Sequence, residues 1–172
     1  FLYFKSKEHY KTLLRDAITD GLTDLYDHKY FLLRLEEEME RSKRYQRPLA
    51  LLMIDMDHFK EYNDSFGYPA GDRILAELAD LFRRHSRRTD TVARYGGDEF
   101  AIALPETTKE GAMVISDRIR RYVEIMKFEE NRSITISIGV SSFSSNDRTF
   151  SKEDLIRTAD EALYMAKTAG RN

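Results

Sequence analysis

The chain of 172 residues contains no cysteine. That excludes disulfides, thiolate metal centres and a cysteine nucleophile, and fits a reducing compartment. No apolar run approaches the roughly 20 residues of a membrane-crossing helix, and no signal-peptide pattern is visible. Neither charge is in excess: 28 Lys and Arg against 30 Asp and Glu leave a formal net charge of −2. Nothing global therefore advertises nucleic acid or an anionic membrane as a partner. Internal repeats, low-complexity segments and long linkers are missing too. What remains, 41% hydrophobic and 34% charged residues, describes one soluble domain able to bury a substantial core. The opening Phe1-Leu2-Tyr3-Phe4, followed by Lys5, Lys7 and Lys11, is expected to be the tail of an upstream membrane or coiled-coil helix in a longer protein.

Apolar periodicity predicts a helix over Lys7 to Ile18 and a second over Lys29 to Tyr45, the latter with Glu37/Arg41 and Glu40/Arg44 as i,i+4 pairs. Pro48 introduces the short run Leu49-Ala50-Leu51-Leu52-Met53-Ile54, expected to be a strand buried on both faces. A third helix is expected over Ala70 to Arg84. Thr91 to Tyr95 and Glu99 to Leu104 read as strands joined by Gly96-Gly97, the shortest kind of hairpin link. A helix over Lys109 to Met126 follows. Ser133 to Val140 alternates strictly, which predicts a strand with one wet face. The last helix is expected over Lys152 to Thr168. The succession βαββαβ at the centre predicts an α+β fold, a central antiparallel sheet with helices on one face and a site on the other.

Two acidic clusters sit at the ends of these strands. Asp55 and Asp57 close the most buried run, and Asp98 and Glu99 follow the two glycines. Either cluster alone is explained by a solvated turn. Together at one sheet edge, carboxylates repel and lose hydration unless a cation compensates them. Hard oxygen ligands without cysteine favour Mg²⁺ or Mn²⁺, which keep positions open for water and substrate phosphates.

The stretch Arg94-Tyr95-Gly96-Gly97-Asp98-Glu99-Phe100 resembles the signature of the GGDEF family, the bacterial diguanylate cyclases. Further blocks occur in the family's order. Asp20-Gly21-Leu22-Thr23-Asp24-Leu25-Tyr26-Asp27-His28 resembles the entry motif D-x-L-T-x-L-x-N-R, departing from it at Asp27 and His28. Leu51 to Lys60, then Asn63-Asp64, Gly67 and Gly71-Asp72, resembles the metal and guanine block. Tyr68 stands where histidine is frequent. Ala166-Lys167-Thr168-Ala169-Gly170-Arg171-Asn172 resembles the family's ending. The resemblance implies a domain over residues 20–172 with residues 1–19 as a signalling or linker helix, and a core like the palm of nucleotidyl cyclases and polymerases.

By that resemblance two GTP molecules are condensed to cyclic di-GMP and two pyrophosphates by an antiparallel homodimer, with two Mg²⁺ (or Mn²⁺) ions per active site. Asp55, Asp98 and the Met56 carbonyl are implied as metal ligands, with Glu99 as a ligand or as the acceptor of the 3′-hydroxyl proton. His58 and Phe59 would offer backbone N–H groups, and Lys60, Lys167 and Arg171 positive charge, to the triphosphate. Asn63 and Asp72 would read guanine, for which their donor and acceptor groups are suited. Asp72 favours guanine-only chemistry, a serine here being associated with a mixed GMP-AMP product. Arg87 and Asp90 have the spacing of the family's inhibitory product site, with Arg118 at a secondary position that can cross-link protomers. An upstream sensory domain is the implied regulator, with this domain cytoplasmic and the full-length protein a candidate for membrane anchoring. No nucleic-acid partner is expected. The alternative is a catalytically silent receptor for GTP or cyclic di-GMP.

Overall fold

The structure is a computed structural model that describes residues 15–128, 131–144 and 149–172. The expected first helix lies mostly outside them, as does the Phe1–Phe4 segment. In chain order the elements are α1 (His28–Tyr45), β1 (Leu49–Met56), α2 (Phe59–Phe66), α3 (Tyr68–His85), β2 (Thr91–Arg94), β3 (Glu99–Pro105), α4 (Lys109–Ile125), β4 (Ile136–Phe143) and α5 (Lys152–Thr168). The four strands form one antiparallel sheet in the order β2-β3-β1-β4.

Strand parity divides the core in two. Ala50, Leu52, Ile54 and Met56 of β1 face one way, against Ile74, Leu78 and Phe82 of α3 and Ile119 and Val123 of α4. Leu49, Leu51 and Met53 face the other way, against Phe31, Leu35 and Met39 of α1 and Leu155, Ala159 and Leu163 of α5. Helices therefore cover both faces of the sheet, not one as expected. The predicted wet face of β4 is the reason. Ser137, Gly139 and Ser141 are buried beneath α5, and the Ser141 hydroxyl donates to the Leu155 carbonyl at 2.7 Å. These residues are small rather than solvated: a Cβ on Gly139 would stand 2.1 Å from the Ala159 carbonyl oxygen. A site must then lie at an end of the sheet.

Local signals set the helix ends. Asp27 caps α1, its carboxylate accepting from the Tyr30 N–H at 2.7 Å. Aspartate does this as well as asparagine, so the departure from the family motif at Asp27 costs nothing. On α1 the side chains pair differently from expectation, Arg34 with Glu37 and Glu38, and Arg41 with Glu38. Ser151 and Asp154 form a capping box at the start of α5. The segment that sequence periodicity missed is α2. It has eight residues, none of them buried, and is joined to α3 at Gly67, whose φ of 84° suits glycine. Because α3 begins at Tyr68, Asp72 sits in its second turn and does not cap it.

Candidate active site

β1 and β3 end together, and their register makes Asp55 the direct cross-strand partner of Glu99. On its other side Asp55 faces Ser137 of β4. Parity puts Asp55 and Glu99 on the face covered by α1 and α5, beyond the last apolar residues of that core. One turn past the buried Leu163, α5 presents Lys167, whose Nζ lies 2.7 Å from Asp55 Oδ2. Asp98 is tied to the same strand end, its carbonyl accepting from the Met56 N–H at 3.3 Å.

Burial pushes the Asp55 carboxyl up, Lys167 opposes that shift, and the charges of Asp98 and Asp57 add to it. Glu99 is also raised, by burial first and then by Asp55 and Asp98. Like charges held this close are what a divalent cation relieves. The donor set is all oxygen, which fits Mg²⁺ or Mn²⁺. Among the described residues no three His, Asp or Glu side chains converge as a finished metal cage; Asp55 is engaged by Lys167 instead. Asp57 adds its charge to this cluster but has its oxygens engaged elsewhere. Its two oxygens accept from Thr135 and Ser137 hydroxyls at 2.7 Å each, and the Asn172 N–H reaches Oδ2 at 3.3 Å, so it anchors β4 and the terminal segment.

His58, in a left-handed conformation with φ 59°, turns the chain from β1 into α2. The N-cap residue His58 makes no side-chain bond to α2, and the Glu61 N–H is engaged by its own carboxylate, so the N–H groups of Phe59 and Lys60 are the candidates for an anion. Lys60 is exposed beside them. Asn63, on the same helix, has an Oδ1 that is buried without a hydrogen-bond partner. It lies over Gly71 of α3, where a Cβ would come within 1.9 Å of it. Asp72 is exposed on α3 next to this contact. Arg171 takes a left-handed conformation, its N–H bonded to the Ala166 carbonyl at 3.0 Å, and its charge helps lower the Glu61 carboxyl, an effect led by hydrogen bonds from the Glu61 backbone and His58.

The hairpin differs from the two-residue link expected of it. β2 stops at Arg94 and β3 starts at Glu99, with the Tyr95 and Gly96 N–H groups both donating to the Glu99 carbonyl, at 2.8 and 3.1 Å. Neither Gly96 nor Gly97 has a positive φ, so the turn does not require glycine at either position. A Cβ on Gly97 would meet nothing within 4 Å, whereas one on Gly96 would stand 2.9 Å from Glu99 Oε2. The bare backbone leaves open space above the carboxylates.

A model of the "Diguanylate cyclase, GGDEF domain" family matches residues 17–172. The chain belongs to the GGDEF family. It is 41% identical over 166 residues to diguanylate cyclase A of Treponema denticola, covering 93% of this chain and 44% of that protein. It is 38% identical over 167 residues to diguanylate cyclase DgcP of Pseudomonas aeruginosa, covering 95% of this chain and 24% of that one. The chain thus spans less than half the length of these curated relatives. Among solved structures it is similar to the GGDEF domain of DgcB from Caulobacter crescentus in complex with c-di-GMP, with a TM-score of 0.85, 32% identity and coverage of 92% and 94% of the two chains. It is also similar to the diguanylate cyclase SiaD in complex with its activator SiaC from Pseudomonas aeruginosa, with a TM-score of 0.84, 33% identity and coverage of 98% and 68%.

In this GGDEF domain the structure adds a residue that sequence reasoning quoted without a role. Arg94 donates to both oxygens of Asp20 at 3.2 Å, and its Nε and Nη2 donate to the Gly97 carbonyl at 3.1 and 2.8 Å. The entry motif and the glycine turn are thereby one unit. Arg87 and Asp90 form a tight turn after α3, the Arg87 N–H donating to Asp90 Oδ2 at 2.6 Å. Asp90 Oδ1 is buried without a partner, and burial pushes this carboxyl up. The pair lines a cavity of ≈ 730 Å³ with Arg15, Tyr26, Arg83 and Arg88. Arg118 is exposed on α4 and does not line that cavity; its charge helps depress His85, which burial already lowers. Within one chain, then, Arg118 is separate from Arg87 and Asp90.

Proposed function

We propose that this chain is a diguanylate cyclase domain that condenses two GTP molecules into cyclic di-GMP. The observation that carries the reading is the convergence of the Asp55–Glu99 pair, Lys167 and the uncapped N-terminus of α2 at one sheet end, with the unpartnered Asn63 oxygen one turn further along α2. That order suits a bound nucleotide from reacting phosphate to base.

Each domain holds one GTP. The α2 N–H groups, Lys60, Lys167 and Arg171 receive the triphosphate, and Asn63 and Asp72 pair with the guanine edge. Asp55, Asp98, Glu99 and the Met56 carbonyl would hold divalent ions, which would supply activation of the attacking hydroxyl and charge to offset that on the α-phosphate and departing pyrophosphate. Two domains face each other antiparallel. The 3′-oxygen of one GTP bonds to the α-phosphorus of the other, the bond to pyrophosphate breaks, and the hydroxyl proton passes towards Glu99. A raised Glu99 carboxyl suits a proton acceptor, since an acid with too low a pKa binds the proton weakly. Repeating the step closes the ring and releases the second pyrophosphate. Arg87 and Asp90 form the inhibitory site for the product, completed by Arg118 from a second copy. Residues 1–19 are a signalling segment, and Arg94 carries its position to the glycine turn through Asp20.

The test is incubation with GTP and Mg²⁺ of the domain fused to a dimerising coiled coil. Cyclic di-GMP and pyrophosphate are expected by mass, and tight nucleotide binding without product would replace this reading by the receptor alternative.

A further inference from the structure

α2 meets the core through half-buried Phe59 and Tyr62 rather than through a fully buried side chain. Eight residues fall short of the roughly 12–15 that an isolated helix needs to persist in water. None of its residues is buried, and no side chain caps its N-terminus. Yet it carries Lys60 and Asn63, and its N–H groups begin the phosphate site. Two of its aromatic residues one turn apart, Tyr62 and Phe66, have ring centroids 4.9 Å apart, with Tyr62 half-buried against the edge of the core. Phe66 is half exposed, at 47%.

Across these rings lies Arg132, from the segment between α4 and β4. Its guanidinium carbon stands 3.6 Å from the Phe66 centroid and 5.6 Å from that of Tyr62. Its Nη1 donates to the Tyr62 hydroxyl at 3.0 Å. The base of this arm is fixed, because Arg132 pairs with Phe128, whose N–H donates to the Arg132 carbonyl at 3.0 Å and whose ring is buried in the core. A planar cation laid over one ring and bonded to the next can hold a helix without burying it.

We propose that Arg132 is a positioning residue for the nucleotide: it clamps α2 from outside so that Asn63 and the α2 N-terminus meet GTP in register. The inference rests on α2 being the GTP-binding helix of the proposed function. It separates α2 from the carboxylates of β1 and β3, which are held by the sheet. Loss of the clamp therefore weakens substrate binding more than it slows chemistry.

The experiment compares Arg132→Ala and Arg132→Lys with the unaltered chain, by steady-state GTP turnover and by hydrogen exchange of backbone amides without nucleotide. Arg132→Ala is expected to raise KM for GTP about tenfold, with kcat changed less than twofold; tenfold is about 1.4 kcal/mol, the size of one partly exposed cation–π contact with one hydrogen bond. Amides of Tyr62, Asn63 and Gly67 should exchange faster, while those of β1 and β3 stay protected and report an intact fold. Arg132→Lys, which keeps the charge and loses the planar fork, should recover only part of the KM. Unchanged exchange in α2 overturns the clamp, and faster exchange with unchanged KM overturns its role in positioning GTP. Failure of the unaltered chain to bind GTP would strike the proposed function instead, and the exchange comparison would still decide whether Arg132 holds α2.

Discussion

Gly139→Ala is a single methyl with a large expected effect. The added Cβ would lie 2.1 Å from the Ala159 carbonyl oxygen, 2.4 Å from the Leu163 nitrogen and 2.8 Å from Leu163 Cβ. Two of these three atoms are α5 backbone, so no rotamer change relieves the contact. Helix α5 must retreat from β4 by about 1.5–2 Å to restore ordinary separations of roughly 3.5–4.0 Å. That loosens Leu155, Ala159 and Leu163, all buried against the sheet. Overpacking of this kind costs typically 1–3 kcal/mol, and backbone obstruction puts this case near the top, at about 3 kcal/mol. For a domain of this length the midpoint of thermal unfolding should fall by about 6–12 °C. Turnover well below that midpoint should fall too, because Lys167 rides on the displaced helix one turn beyond Leu163, and a misplacement of about 1 Å can cost on the order of a hundredfold. Gly97→Ala is the contrast. It has open space and an ordinary φ, so stability should stay within about 0.5 kcal/mol while kcat/KM for GTP falls. Calorimetry and GTP turnover on both variants decide it. A Gly139→Ala protein that melts with the parent would refute the packing of α5 on β4, and a fully active Gly97→Ala would refute the need for bare backbone above the carboxylates.

Glu99→Gln should lower turnover by about a hundredfold or more while raising the melting temperature at neutral pH. The sign follows from the raised carboxyl: the folded state binds the proton more tightly, so stability is full below the ordinary carboxylate range and is lost as pH rises through the folded pKa. The stabilisation by Gln should accordingly vanish in acid, and equal melting at every pH would contradict it. Asp154 works in the opposite sense. Hydrogen bonds from the Ser151 backbone and hydroxyl, with Arg157, hold it at about 2, so the capping box helps above the ordinary aspartate pKa and is lost as pH falls towards about 2; Asp154→Asn should flatten that part of the pH–stability curve. Asn63→Ala should raise KM for GTP about tenfold, as expected when one base-pairing partner is lost, and should leave unfolding unaffected because its buried oxygen has no protein partner. Arg87→Ala should relieve inhibition by added cyclic di-GMP with the initial rate unchanged, measured by pyrophosphate release.

Strong periodicity carried most of the architecture. The predicted bounds of α5 coincide with those observed, and α1 differs by one residue. The short buried run after Pro48 is the central strand, buried along its whole length. Two failures share a physical cause. Ser137 and Gly139 fall on the face of the alternating segment expected to be wet, whereas their small size lets α5 approach the sheet. Gly96-Gly97 was read as a turn requirement, although both have backbone angles that other residues adopt. Helix α2 was invisible because eight partly exposed residues show no full apolar period. The acidic cluster was legible as a group, but the direct pairing of Asp55 with Glu99 depends on register between strands more than forty residues apart. The Arg94–Asp20 contact, across 74 positions, had no local signal at all.

The central claim is that one sheet end holds a guanine nucleotide and joins it to a second. It is tested most directly by giving the dimerised domain equal GTP and ATP with Mg²⁺ and weighing the products. Cyclic di-GMP alone, with two pyrophosphates per molecule, is the predicted result. A mixed GMP-AMP ring would contradict guanine reading by Asn63 and Asp72, and the absence of any cyclic dinucleotide at every protein concentration would contradict the enzyme itself.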